Sequence, residues 1–359
     1  MVIPGLPDDI ALQCLIRLPK FSLLRIRCVS KAWNELVSSK QFYLLRQRHL
    51  LVDDWLVLVV PRNSRLHKSA RLLAYDFNSA ASHRIKGPME AEKHLDLMGV
   101  GCASQGHRLF VLGGSSASHD GIEFQNHSEV TIFDAATSRW TTGSRMKIAR
   151  SYFACGFIEG TLYVAGGCDN EQSTEAYDSE LDKWTLLESM PFGFNHIESF
   201  AVFQSKLYVK GRAGRNRRVL VFDPRSSGSS SSSSDTGRWK LERSLEGNLR
   251  EGEFVATGDH LYVINQAGYV GRLDDDKEHG WKEVGIVSRY FLPFAASSPS
   301  SLSSLDLGSN SSSAVLFRND AFFVTSKGGE DVTDLKNSRQ LYRALLLTFY
   351  HCQGAVLHF

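Results

Sequence analysis

The residues most able to do chemistry here are glycine pairs behind apolar runs, one loop crowded with arginine, and the cysteines and histidines. Gly113-Gly114 follows "LFVL" and Gly166-Gly167 follows "LYVA". A glycine loop after a strand holds phosphate when a helix N-terminus comes next and aims its free N–H groups at the ligand. Here "CDNEQSTEAYD" leads into another strand, so the pair reads instead as a point where the chain leaves a strand at close quarters. The loop "GRAGRNRR" brings together Arg212, Arg215, Arg217 and Arg218. Guanidinium forks of this kind suit carboxylate or phosphate recognition, and solvated loop arginines are the plain alternative. The six cysteines (Cys14, Cys28, Cys102, Cys155, Cys168 and Cys352) form no C-x-x-C pair, and the twelve histidines form no H-x-H or H-E-x-x-H pair. Without such spacing, and without a P-loop or nucleophile elbow, the expectation is no metal, no cofactor and no catalytic residue.

Composition narrows the field further. The chain is 42% hydrophobic and 22% charged with a net charge of +2, so its overall balance points to neither nucleic acid nor a membrane surface. Its longest apolar runs, Trp55 to Val60 and Ala344 to Phe349, are far shorter than the ~20 residues a membrane helix needs. The opening "MVIPGLPDDI" has no basic region followed by an apolar stretch. Reduced thiols and a location in cytoplasm and/or nucleus are the expectations that follow.

Two regions must position these residues. Residues 1–50 read as a small helical domain and 51–359 as a β domain. In "DDIALQCLIRL", Ile10, Cys14, Leu15 and Leu18 recur at helical spacing behind Asp8 and Asp9, which complement the helix dipole. Pro19 stops this helix; Ser22 is expected to cap a second and Ser30 a third, with a fourth over "QFYLLRQRH". A unit of this size buries little core alone. Leu6, Leu15, Leu18 and Leu24 are therefore free to contact a partner or the neighbouring domain.

Beyond Trp55 a repeat dominates. "LFVLGG", "LYVAGG", "LYVKGR", "LYVINQ" and "FFVTSKGG" are each preceded by a further apolar strand, with "WLVLVV" as a degenerate first copy. Second strands ending "LLAYD", "VTIFD", "TEAYD", "VLVFD" and "GRLD" follow, with "QLYRALLL" in the sixth place. Trp140 and Trp184 each stand six residues after their aspartate, Trp281 seven after Asp274, and Trp239 beyond an insert. Successive Leu-Tyr or Leu-Phe pairs lie 53, 45 and 54 residues apart. Four short strands at such a period mark propeller blades, each burying its faces against its neighbours.

The glycine pair, the Tyr-Asp or Phe-Asp and the following tryptophan resemble the kelch repeat, and "LPDDIALQCLIRLPKFSLLRIRCVSKAWNEL" resembles an F-box. The whole chain is similar to plant F-box/kelch-repeat proteins. The resemblance implies a mainly β fold: a kelch-type six-bladed β-propeller preceded by a small all-α F-box domain. It also implies a non-catalytic substrate receptor of an SCF-type ubiquitin ligase, whose F-box docks a Skp-type adaptor and through it a cullin and RING subunit. Carried over by position, the adaptor-facing residues are Leu6, Pro7, Ile10, Leu15, Leu18, Pro19, Leu24, Val29 and Trp33, with Val29 and Trp33 expected one helical turn apart. A scaffold whose helices only cap the propeller is the alternative reading.

With strands labelled a to d and the glycine strand as b, the b–c and d–a connections emerge at one end and the a–b and c–d turns at the other. The arginine loop is a b–c connection, and Arg150, His196 and Arg250 fall in or beside d–a connections. Arg150, His196, Arg212, Arg215, Arg217, Arg218 and Arg250 are the candidate contacts for a protein substrate with an acidic or phosphorylated degron. No aromatic platform accompanies them for nucleic acid. The serine-rich "PRSSGSSSSSSDTGR" is a c–d insertion, and "FAASSPSSLSSLDLGSNSSS" a d–a one. "SSSDTGRW" resembles the Asp-box of sialidase-type propellers but is one residue short and occurs once. The apolar C-terminus is expected to pair as a strand in the slot the first blade leaves before "WLVLVV".

Overall fold

In the computed structural model the described residues are 3–51, 54–61, 70–76, 81–88, 91, 97–117, 123–167, 172–226, 238–246, 253–257, 260–264, 269–273, 281–286, 315–317, 321–323 and 354–358. Residues 227–237 of the first serine-rich insert, the whole of the second, "QLYRALLL", Cys168, Cys352 and Arg250 lie outside them.

Four helices come first: α1 Asp8–Ile16, α2 Lys20–Ile26, α3 Lys31–Val37 and α4 Lys40–Arg48. Asp8 and Asp9 open α1 as expected. Ser30 caps α3, its hydroxyl accepting from Trp33 N at 3.1 Å, and Ser39 caps α4 in the same way through Phe42 N at 3.1 Å. Two expectations fail. Ser22 lies inside α2, whose N-cap is Pro19; proline's fixed φ suits a helix entry as well as it blocks the helix before it. Val29 sits in the turn ahead of the Ser30 cap and so shares no helical face with Trp33. Leu15, Ile16, Leu23, Val37 and Phe42 form the helical core. Arg46, almost fully buried, donates from Nη1 to Ile16 O and Leu18 O, both at 2.6 Å, tying α4 to the carbonyls that end α1.

The β domain follows. The first blade holds β1 Asp54–Pro61, β2 Ala70–Asp76 and β3 Ala81–Ile85; the second holds β4 Gly101–Gln105 and β5 Arg108–Leu112, then a hairpin of β6 Ser115–Ala117 and β7 Phe124–Asn126, then β8 Val130–Asp134 and β9 Arg139–Gly143. The third comprises β10 Ala154–Ile158, β11 Thr161–Ala165, β12 Thr174–Asp178 and β13 Lys183–Leu186, and the fourth β14 His196–Phe203, β15 Lys206–Ala213, β16 Asn216–Asp223 and β17 Arg238–Leu241. β18 Glu253–Thr257, β19 His260–Ile264, β20 Tyr269–Leu273 and β21 Trp281–Ile286 make the fifth. In the sixth place β22 Val315–Phe317 pairs with β23 Ala321–Phe323. Every pairing is antiparallel and the complete sheets are meanders, the arrangement of kelch blades.

The first sheet is the exception in chain order. Its missing strand is β24 Gly354–His358, which pairs with β1 from Asp54↔His358 to Leu58↔Gly354. The slot expected from the sequence is thus filled by the C-terminus, and an edge that would expose unpaired N–H and C=O groups is covered. Neighbouring blades touch through strand a: β24 meets β4, β4 meets β10, β10 meets β14, and β14 meets β18.

The repeated aromatics fill the spaces between blades. Tyr177 and Trp184, both nearly fully buried, pack with Phe110 and Leu112 of the preceding blade. Trp184 Nε1 donates across the blade boundary to Ser144 O at 2.8 Å, and Trp140 Nε1 does the same to Lys86 O at 3.1 Å. Burial and the bond to Asp182 push the Tyr177 phenol well above its ordinary pKa, so it stays a donor to that carboxylate at 2.6 Å.

Candidate functional site

The helices define which end of the propeller is open. Phe21 and Leu24 of α2 pack into the cluster of Val57, Leu72, Leu109 and Phe133 from the first two blades. The Tyr43 ring lies 4.5 Å from His107, which sits in an a–b turn and has its Nε2 3.8 Å from Asp134 at the start of a c–d turn. Burial holds the His107 imidazole below its ordinary pKa although Asp134 pulls it upward. Among the described residues these helix–propeller contacts gather at the a–b/c–d end. The b–c/d–a end, with the glycine pairs and the arginine loop, faces the other way.

The glycine pairs shape that open end. Gly166 and Gly167 have φ of +71° and +77°, a backbone that side chains rarely adopt. A Cβ on Gly167 would also run into Ser151 O and lie 2.9 Å from Phe153 Cα. The expectation of close quarters is met, because the d–a connection that enters this blade, residues 144–153, crosses directly over Gly167.

Arg150 belongs to this crossing and not to a binding surface. It is 0% exposed, and its Nη2 contacts Glu175 Oε1 at 2.6 Å while Nη1 donates to Gly166 O at 2.8 Å. Glu175, equally buried, accepts from the backbone N of Lys147 at 2.8 Å and of Ile148 at 3.2 Å. A substrate at the surface cannot reach Arg150, and that assignment is corrected. Its loop position in the sequence gave no sign that the loop is folded inward over a buried carboxylate.

The other candidate cations lie in the fourth blade. His196 opens β14 and is exposed, in register with Arg212 of β15. Arg212 in turn stands directly opposite Arg217 of β16, and Arg215 is exposed at the tip of the turn. Glu198 joins the two arginines: Arg212 Nε donates to Oε1 at 2.9 Å, and Arg217 Nε donates to both oxygens at 2.9 Å. Burial pushes the Glu198 carboxyl up, but the bonds from Arg212 and Arg217 outweigh it and hold the group below its ordinary pKa. Arg218, half-buried, lies beside Val219 in register with Gly211.

The long b–c connection of the second blade adds features that the sequence did not single out. The hydroxyl of Ser116 and Nε2 of His127 are 2.7 Å apart, and His127 Nδ1 is 3.6 Å from Glu129. Glu129 is engaged by Arg145 at 3.2 Å, so this group fastens the hairpin to its neighbours. Phe124 on that hairpin is 61% exposed, and Tyr152 in the adjoining d–a connection is 50% exposed with φ of +52°. Large exposed aromatics at one end of a propeller point to contact with another surface.

On the helices, Leu6, Pro7, Ile10, Pro19 and Val29 are exposed, and Leu18 and Trp33 half-buried. Leu15 is 3% exposed within the helical core, and Leu24 packs on the propeller. Both point inward, which leaves Leu6, Pro7, Ile10, Pro19 and Val29 as the exposed apolar members of the predicted set.

No helix among the described residues is long and apolar enough to cross a membrane. Among the described residues, no His, Cys, Asp and Glu side chains gather into a metal-binding group.

Comparison with known proteins agrees with this architecture. The F-box domain family matches residues 3–45 and the Kelch motif residues 149–191. One F-box/kelch-repeat protein of Arabidopsis thaliana is 27% identical over 308 residues, covering 81% of this chain and 76% of that protein. F-box protein AFR of the same organism is 28% identical, covering 74% and 69%. Another Arabidopsis thaliana F-box/kelch-repeat protein is 32% identical, covering 74% and 65%. The chain thus carries an F-box domain at its head and a Kelch motif behind it, and along most of its length it is similar to F-box/kelch-repeat proteins of Arabidopsis thaliana.

Proposed function

We propose that this protein is the substrate-recognition subunit of an SCF-type ubiquitin ligase. F-box domains bind Skp-type adaptors and kelch domains bind protein substrates; the chain joins the two and contributes no catalytic group of its own. The observation that carries the reading is the exposure of Leu6, Ile10 and Val29 on the F-box, at 38%, 47% and 63%. Apolar side chains left outside a small helical unit are what a partner interface would cover. The adaptor, and through it cullin and RING subunit, takes the helical end, while the open b–c/d–a end of the propeller holds the protein to be modified and degraded.

Phe21, Leu24 and Tyr43 favour a second reading, in which the helices only cap the propeller. Purification of the full chain from cells with the proteasome inhibited separates the two. Adaptor, cullin and ubiquitin-bearing partners should come down with the wild type and be lost from a variant with Leu6→Ala, Pro7→Ala and Trp33→Ala. Equal recovery of the adaptor by both would reject the ligase role.

A further inference from the structure

We infer that the b–c turn of the fourth blade receives an acidic segment of the substrate protein, with Glu198 as the residue that positions its arginines. This rests on the propeller being the substrate-binding part of the molecule, and it specifies the chemistry of what is bound there. Arg212 and Arg217 face each other across β15 and β16, a placement in which like charges repel. Glu198 reaches them from β14, where the register shifts between Ile197 and Ser199; such a bulge re-aims side chains. With 17% of its side chain exposed, Glu198 lies beneath the arginines, and Arg212, bonded through Nε, keeps 55% of its side chain in solvent. Arg215, exposed at the tip, adds a third guanidinium to the two that share this one carboxylate. The turn therefore remains cationic after its internal pairing. It also lies at the end the helices leave open, where an anionic side chain of a large partner can approach. Carboxylate and phosphate oxygens share the acceptor geometry that guanidinium forks recognise.

The test is fluorescence anisotropy on the full chain with four probes: a dodecapeptide rich in Glu and Asp, its Gln/Asn counterpart, that neutral peptide with one phosphoserine, and oligouridylate. The acidic or the phosphorylated peptide should bind and the neutral one should not, and whichever binds identifies the source of the anion. Binding should weaken about tenfold or more in the Arg212→Glu, Arg215→Glu variant, as for charge reversal in a complementary interface. Glu198→Gln should weaken it as well. Removing a negative charge would by itself strengthen anion binding, so a gain on Glu198→Gln would overturn the positioning role. Equal binding of the neutral peptide, an unaffected double variant, or tighter binding of oligouridylate would overturn the site. Adaptor capture by the double variant, measured in parallel, should be unchanged, so failure here is distinct from failure of the ligase reading.

Discussion

Arg150 and Glu175 form an ion pair of 2.6 Å in which neither side chain is exposed at all. The pair joins a d–a connection to the c strand of the next blade, directly beneath the glycine crossing. Two desolvated charges are tolerated because Gly166 O, Ser173 and two backbone N–H groups bond every polar atom of the pair except the buried Arg150 Nε. The open end of the propeller is thereby built on a rigid floor.

Breaking one half of that pair should be costly. Arg150→Met leaves Glu175 buried without its counter-charge, and the expected loss is about 3–5 kcal/mol in denaturant unfolding. Adding Glu175→Leu to it should recover part of the loss. A single variant as stable as the wild type would contradict the burial described.

The two glycines Gly160 and Gly167 separate backbone strain from close approach. Both have positive φ, +90° and +77°, but only Gly167 has backbone atoms where a Cβ would go. Gly160→Ala should cost about 1–2 kcal/mol, the ordinary penalty of a left-handed side chain. Gly167→Ala should cost clearly more, since Ser151 and Phe153 would have to move as well. Thermal unfolding of the two variants side by side checks the order.

Glu198 makes a pH prediction. Its folded-state pKa lies below the ordinary value of 4.5, so the carboxylate form is favoured in the native protein. The resulting stability is present above that ordinary value and is lost as pH falls through the lowered folded one. Glu198→Gln should therefore be less stable than wild type near neutral pH, and the gap should narrow by about pH 3. A gap that stays constant over the titration would mean that the arginine bonds do not set the carboxyl's affinity for protons.

The closing strand should matter to the whole domain. Truncation before Gly354 removes β24, leaving the inner edge of β1 unpaired and β4 with β10 but without its contact to the first blade. Exposed strand edges template association, so the truncated chain should elute as aggregates or unfold at lower temperature than the full chain. A monodisperse truncated protein with unchanged unfolding would show that the pairing is dispensable.

The architecture was legible because it repeats. Gly166-Gly167, Tyr177 and Trp184 recur with their neighbours at a period near that of a blade, and each copy reinforces the reading of the others. The C-terminal strand could be placed because its apolar residues and the gap before "WLVLVV" answered one another. The site was less legible, because burial depends on contacts distant in sequence. Arg150 and Arg212 look alike in the chain, both arginines in blade connections, yet one lies over Glu175 and the other over Glu198 at the surface. Neither carboxylate stands out, since each lies within a strand of alternating pattern. Leu24 belongs to a helix whose periodicity gave no indication of which neighbour its apolar face would meet.

The most direct test of the central claim is a two-component binding measurement between the purified full chain and a purified Skp-type adaptor. The account predicts binding by the wild type and by Leu181→Asp, a charge placed on an exposed propeller leucine. It predicts loss of binding for Leu6→Asp combined with Ile10→Asp, with the fold retained by circular dichroism. Wild-type protein that does not bind the adaptor, or a Leu6→Asp, Ile10→Asp variant that binds as tightly as the wild type, would contradict it.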